Sequence, residues 1–154
     1  MNNSDIKNDI LALKKSADAT AFACGSYAAS IDTYSLFSFA ADEKNVKRIY
    51  YDYRRLTSLI IKEKEMSDAS NARVAALVCQ ADKEQNSEIV KEYYEIFERY
   101  RVWCASASSF MQSSDKEFKK DAKDLKLSAL LSYAQIFLIS TKNLIGFLNE
   151  KASD

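Results

Sequence analysis

The 154-residue chain carries 22 Lys and Arg against 22 Asp and Glu and no histidine, so no global field draws it to nucleic acid or to an anionic membrane. Hydrophobic residues make up 47% and charged ones 29%, a globular rather than a disordered balance, and the length suits one domain over residues 1–154. With no histidine, and with Cys24, Cys79 and Cys104 widely spaced, the usual zinc and redox motifs are excluded.

Helix breakers are scarce. Proline is absent and Gly25 and Gly146 are the only glycines, where about 18 of the two together would be usual. Long helices follow, because strands joined by tight turns need those residues. The polar start and the dispersed cysteines predict a reduced, cytoplasmic product without a secretory signal.

The first predicted helix covers about 5–40. Its apolar seam, Ile6, Ile10, Leu13, Ala17, Thr20, Cys24, Tyr27, Ile31 and Tyr34, alternates steps of four and three. Asp42, followed by Glu43, provides an N-cap for a second helix over about 43–83. Its seam runs through Val46, Ile49, Tyr53, Leu56 and Ile60, fades at Glu63 and Ser67, and resumes at Val74, Leu77 and Ala81. The polar segment 67–71 is either a break or part of one long helix.

A third helix over about 87–113 is capped by Ser87 and seamed by Ile89, Tyr93, Phe97, Tyr100, Cys104 and Ala107, with Trp103 and Phe110 widening the face. Ser114 with Glu117 three residues on reads as a capping box that opens a fourth helix over about 115–150. That helix would bury Phe118, Ala122, Leu125, Ala129, Ile136, Ile139 and Phe147. Short connections make neighbours antiparallel, so the predicted fold is an all-α, up-down-up-down four-helix bundle.

These lengths do not match. An unbroken second helix would outrun the third, leaving residues 43–56 and the end of helix one as a hairpin tip projecting beyond the turn between helices three and four. The tip holds the stretch Ile-Tyr-Tyr-Asp-Tyr-Arg-Arg-Leu at 49–56. Residues 43–62 carry Lys44, Lys47, Arg48, Arg54, Arg55 and Lys62 against only Glu43 and Asp52, while Ala19–Ala41 has the single charge Asp32. Tyr and Arg are enriched at binding hot spots, so Lys47, Arg48, Tyr50, Tyr51, Arg54, Arg55 and Lys62 form the candidate partner-binding set. On the seam, Ile49, Tyr53 and Leu56 should be buried; off it, Tyr51, Arg54 and Arg55 should be exposed. If helix two breaks instead, Tyr50 and Tyr53 are core residues with hydroxyls at the rim.

Other features point to solvated faces or core. Lys116, Lys119, Lys120, Lys123 and Lys126 are interleaved with Asp115, Glu117, Asp121 and Asp124, which favours mutual screening. Leu127–Leu148 has one charge, Lys142, but too many Ser, Thr, Asn and Gln for a membrane span. Ala21, Gly25 and Ala28 or Ala29 permit close approach of another helix. Glu88, Glu92, Glu95 and Glu98 read as an acidic solvated face, and a di-metal carboxylate site lacks its histidines. No phosphate loop or nucleophile motif is present, so the expectation is a non-enzyme with no cofactor and no metal. The leading function is a protein–protein interaction module, an adaptor, inhibitor or assembly subunit, with a homodimer among its partners and no membrane. Alternatives are a subunit contacting nucleic-acid backbone through the Lys/Arg/Tyr stripe, and a bundle holding a small apolar ligand.

Overall fold

Four helices follow one another along the chain: α1 (Asn3–Phe37), α2 (Glu43–Gln80), α3 (Ser87–Phe118) and α4 (Leu127–Ser153). The computed structural model describes residues 3–37, 42–80 and 87–153, and side chains throughout these except at 3–6, 35–37, 77–80, 87–90, 92 and 153. Expectations for Ile6, Leu77, Cys79, Ala81, Ser87, Glu88, Ile89, Glu92 and the turns near 41 and 85 lie outside the described residues. Among the described residues 93% are helical and no strand is present.

The packing is cyclic: α1 lies between α4 and α2, and α3 closes the ring against both. Neighbours run antiparallel. Asp9 of α1 pairs with Arg73 near the end of α2 at 2.8 Å, while Ser30 donates to Asp52 at 3.2 Å. Tyr53 reaches Asp115 across the α2/α3 contact, and Lys151 of α4 meets Glu95 of α3. The up-down-up-down bundle is therefore the fold.

The α1 seam is buried from Ile10 through Ile31 as its spacing requires, with Tyr34 half-buried at its end. Asp42 caps α2: its Oδ1 accepts from the Asn45 N–H at 2.8 Å and its carbonyl begins the helical ladder to Val46. No break occurs near 67–71. Ser67 and Ser70 are buried, and Ser70 faces Asp9 beside the Arg73 ion pair, so the polar stretch is helix packed against α1.

Within α2, Glu63 is completely buried. Tyr100 donates a short hydrogen bond to its Oε1, and Oε2 has no partner. Burial raises the Glu63 pKa, Asp18 adds to the rise, and the Ser16 and Tyr100 hydroxyls oppose it. A carboxyl with a raised folded-state pKa contributes stability fully below its unfolded value, near 4.5, and loses it as pH rises through the folded value. Glu63→Gln, titrated by urea unfolding from acid to neutral pH, should therefore gain on the wild type progressively above pH 4.5. A stability difference that stays constant with pH would show that Glu63 does not titrate within the fold.

The boundary between helices three and four departs from the sequence reading. No helix starts at Ser114. Instead α3 continues to Phe118 and α4 begins at Leu127. Ser114 is buried in the helix with an unpartnered Oγ, because α3 runs on to Phe118 and the N–H groups of Lys116 and Glu117 that it would cap lie inside that helix. Glu117 serves the later helix. Its Oε1 accepts the Lys126 N–H at 2.7 Å, and the Lys126 carbonyl receives the first α4 bonds from Ala129 and Leu130. The carboxylate thus performs the capping-box role across a connection instead of within one turn. Burial would raise its pKa, but the Lys126 N–H and the Lys120 ammonium at 2.9 Å bring it below the usual carboxylate value.

The later start also resets the buried face of α4. Ile136 and Ile139 are exposed, and Leu130, Ala134, Phe137, Thr141, Leu144 and Leu148 are buried instead. On α3 the seam is centred on Ile96, Trp103 and Phe110, with Phe97 and Cys104 at its edge. Phe110 stacks on Phe137 at 4.8 Å, and Trp103 donates to Thr141 at 3.0 Å. α1 meets α4 closely enough for the Cys24 thiol to reach the Ala134 carbonyl at 3.4 Å, so the small-residue stretch has a neighbour in its own chain. Gly25 is not what permits this approach: a Cβ there would meet nothing within 4 Å.

A basic aromatic groove at one end of the bundle

The extension of α3 removes the projecting hairpin. Phe118 lies over α2, its ring 5.1 Å from Tyr50 and 5.0 Å from Tyr53, so residues 50–56 lie beside the third helix and do not project beyond it. The error followed from ending α3 too early. With its last turn added, α3 reaches Tyr50, about two turns from the start of α2.

Ile49, Tyr53 and Leu56 are buried, while Lys47, Arg48, Tyr50, Tyr51, Arg54, Arg55 and Lys62 are all exposed. Helical periodicity then divides the exposed set between two sides of α2. Toward α3, Lys47, Tyr50 and Arg54 line a groove of about 460 Å³ together with Val46, Asp115, Phe118 and Lys119. Toward α1, Lys47, Arg48 and Tyr51 border a shallower hollow of about 370 Å³ with Tyr34 and Asp52. Arg55 belongs to a third groove farther along α1, of about 590 Å³, walled by Ala19, Phe22, Ala23 and Leu59. Its floor includes Tyr27, whose buried hydroxyl has no partner. Lys62 lines none of these grooves.

The α2/α3 groove brings Lys47, Tyr50 and Arg54 of the candidate set to one aromatic floor. Tyr53 forms its support, packed against Tyr27, Tyr50, Phe110 and Phe118, with its hydroxyl shared between Asp115 Oδ1 at 2.6 Å and the Met111 carbonyl at 3.1 Å. Burial, reinforced by Asp115, keeps this phenol protonated far above the ordinary tyrosine value. Tyr50, 39% exposed, meets Phe118 edge-on and receives a long 3.5 Å hydrogen bond from Arg54. Three cations from two helix ends, Lys47, Arg54 and Lys119, thus border an aromatic floor with one carboxylate, Asp115, among them. Such a surface can hold an acidic group by charge while an adjoining apolar group lies on the rings.

Asp115, Phe118 and Lys119 were missing from the sequence-derived set. Their signal was the lysine row beginning at Lys116. Lys120 is indeed screened by Glu117, but Lys119 faces the groove. On α3, Glu95 pairs with Lys151 of α4 and Glu98 with Arg101 one turn on. Cys24 and Cys104 are free thiols, and burial raises the pKa of both, Cys24 to about 12. Among the described residues no helix is long and apolar enough to cross a membrane, and no group of three His, Cys, Asp or Glu is placed to hold a metal ion. Comparison with protein-family models, with curated proteins and with solved structures found no match to this chain.

Proposed function

We propose that this chain is a non-catalytic interaction module that binds an acidic segment of another protein at the α2/α3 end of the bundle. The observation that carries this reading is the placement of Lys47, Arg54 and Lys119 around the exposed edges of Tyr50 and Phe118. Carboxylates of the partner would pair with the cations, and an apolar side chain beside them would cover the rings. Arg48, Tyr51 and Arg55 extend the surface around α2 toward α1. A cytoplasmic setting fits the free thiols of Cys24 and Cys104.

A protein partner is favoured over nucleic-acid backbone because the 22 basic and 22 acidic residues leave no net field for a polyanion, while the Tyr50 and Phe118 rings beside the three cations suit an apolar side chain next to an acidic one. Affinity capture from the native host should recover a partner that resists nuclease treatment. The triple reversal Lys47→Glu, Arg54→Glu, Lys119→Glu should reduce its recovery by at least tenfold, on the order of one hot-spot contribution or more. The same triple variant should retain the wild-type unfolding free energy to within about 0.5 kcal/mol, as expected for surface positions. Recovery abolished by nuclease would favour the nucleic-acid reading, and recovery unaffected by the reversal would place the binding surface elsewhere.

A further inference from the structure

The outer stripe of α1 carries two large apolar side chains where a helix facing water would carry polar ones. Phe22 is 79% exposed and Leu11 is 53% exposed. Between them on the same stripe lie Lys15 and Asp18, both exposed. Among the described residues neither has an ion-pair partner within the chain. The positions 11, 15, 18 and 22 are separated by four, three and four residues, a spacing that reads identically in both directions. Over that span the side chains run apolar, basic, acidic, apolar.

We infer that this stripe is the contact surface for a second copy of the chain, docked with the two α1 helices antiparallel about a twofold axis level with the midpoint between Lys15 and Asp18. In this register residue i of one copy meets residue 33 minus i of the other. Leu11 then packs against Phe22 of the second copy, and Lys15 pairs with Asp18 of the second copy; each contact occurs twice, as an isologous interface requires. Charge complementarity chooses this occupant. The remaining lysines of the segment, Lys7 and Lys14, fall opposite Ser26 and Ala19, so the pairing creates no like-charge contact.

Steric room is also available. Ala12, Ala19 and Ser26 flank the stripe on the side toward α2, and a Cβ built at Gly25 meets only open space. Small flanking residues allow two helix backbones to approach closely. A single helix pair covers less area than a standard interface of roughly 1,600 Å², so association should depend on concentration rather than be obligate. Asp18 and Phe22 also line the Arg55 groove, but the stripe is distinct from the α2/α3 groove, and its variants leave Lys47, Arg54 and Lys119 unchanged.

The test is sedimentation equilibrium of the full chain from about 1 μM to about 1 mM, the range in which moderate and weak complexes dissociate. The wild type should shift from monomer to dimer across this range. Phe22→Ser, Lys15→Asp and Asp18→Lys should each raise Kd at least about tenfold, the latter two by placing like charges opposite one another twice. The double exchange Lys15→Asp with Asp18→Lys restores both pairs and should bring Kd back to within about threefold of the wild type. Helicity is read on every sample by circular dichroism, and Leu11→Gln replaces Phe22→Ser in the series if the latter loses helix. A wild type that stays monomeric throughout overturns the inference. So does a dimer indifferent to Phe22→Ser, or a double exchange no better than the single variants. Indifference to the charge exchanges alone would also overturn it, since a register centred on Phe22 would leave Lys15 and Asp18 unpaired.

Discussion

Trp103→Ala should destabilise the fold by about 4 kcal/mol, the upper range for truncating a buried aromatic residue. Trp103 is 1% exposed and lies in the middle of the contact between α3 and α4. Its ring meets Tyr100 edge-on at 6.0 Å and Phe137 at 5.8 Å, and Phe137 in turn stacks on Phe110. Its Nε1 donates to Thr141 Oγ1, which passes its own hydrogen to the Phe137 carbonyl at 3.0 Å. Alanine removes the ring and leaves the threonine without its donor, so a cavity and a weakened polar chain arise together. Trp103→Phe keeps much of the volume but not the N–H, and should cost about 1–2 kcal/mol. Because Trp103 is the sole tryptophan, unfolding of both variants is followed by circular dichroism in urea. A loss below about 1 kcal/mol for Trp103→Ala would mean that the core is not packed as described.

Tyr53→Ala should cost about 3–4 kcal/mol and should also disorganise the α2/α3 groove. Four aromatic rings pack around Tyr53, with Phe118 the nearest at 5.0 Å, and its hydroxyl ties α2 to the last turns of α3 through Asp115. Tyr53→Phe separates these contributions. It retains the ring stack and loses only the hydrogen bond to a carboxylate that water can reach, for a cost of about 1 kcal/mol. By contrast, Tyr51→Ala with Arg55→Ala should shift stability by less than about 0.5 kcal/mol, since both side chains are exposed. Urea midpoints at unchanged m-value measure all three. If the Tyr51/Arg55 pair of substitutions unfolds the protein while Tyr53→Ala does not, the inside and outside of α2 have been exchanged.

Both predictions rest on helix phase, and phase was legible where each seam was bordered by charge. On α2, Ile49, Tyr53 and Leu56 alternate with Arg48, Arg54 and Arg55, so one rotation of the helix buries the first group and exposes the second. On α4 the discrimination failed. From Leu127 to Leu148 the only charge is Lys142, apolar side chains occur all round the helix, and periodicity has no polar face to set it. Ile136 and Ile139 read as core for that reason, and the contact with Trp103 and Phe110 decided otherwise.

The sequence by itself determined the helical class, the four segments, the Asp42 cap and the buried faces of α1 and α2, because breaker scarcity, caps and charged borders are local properties. Only the tertiary structure decided where α3 stops. Ser114 and Glu117 have the spacing of a cap, yet that spacing is equally compatible with a continuing helix, and the choice fell to Phe118 packing on Tyr50 and Tyr53 with Tyr53 bonding Asp115. The candidate site depends on the same choice. Lys47 and Arg54 are neighbours of Lys119 only when α3 runs to its full length, and a contact between residues more than sixty positions apart leaves no periodic trace in either segment.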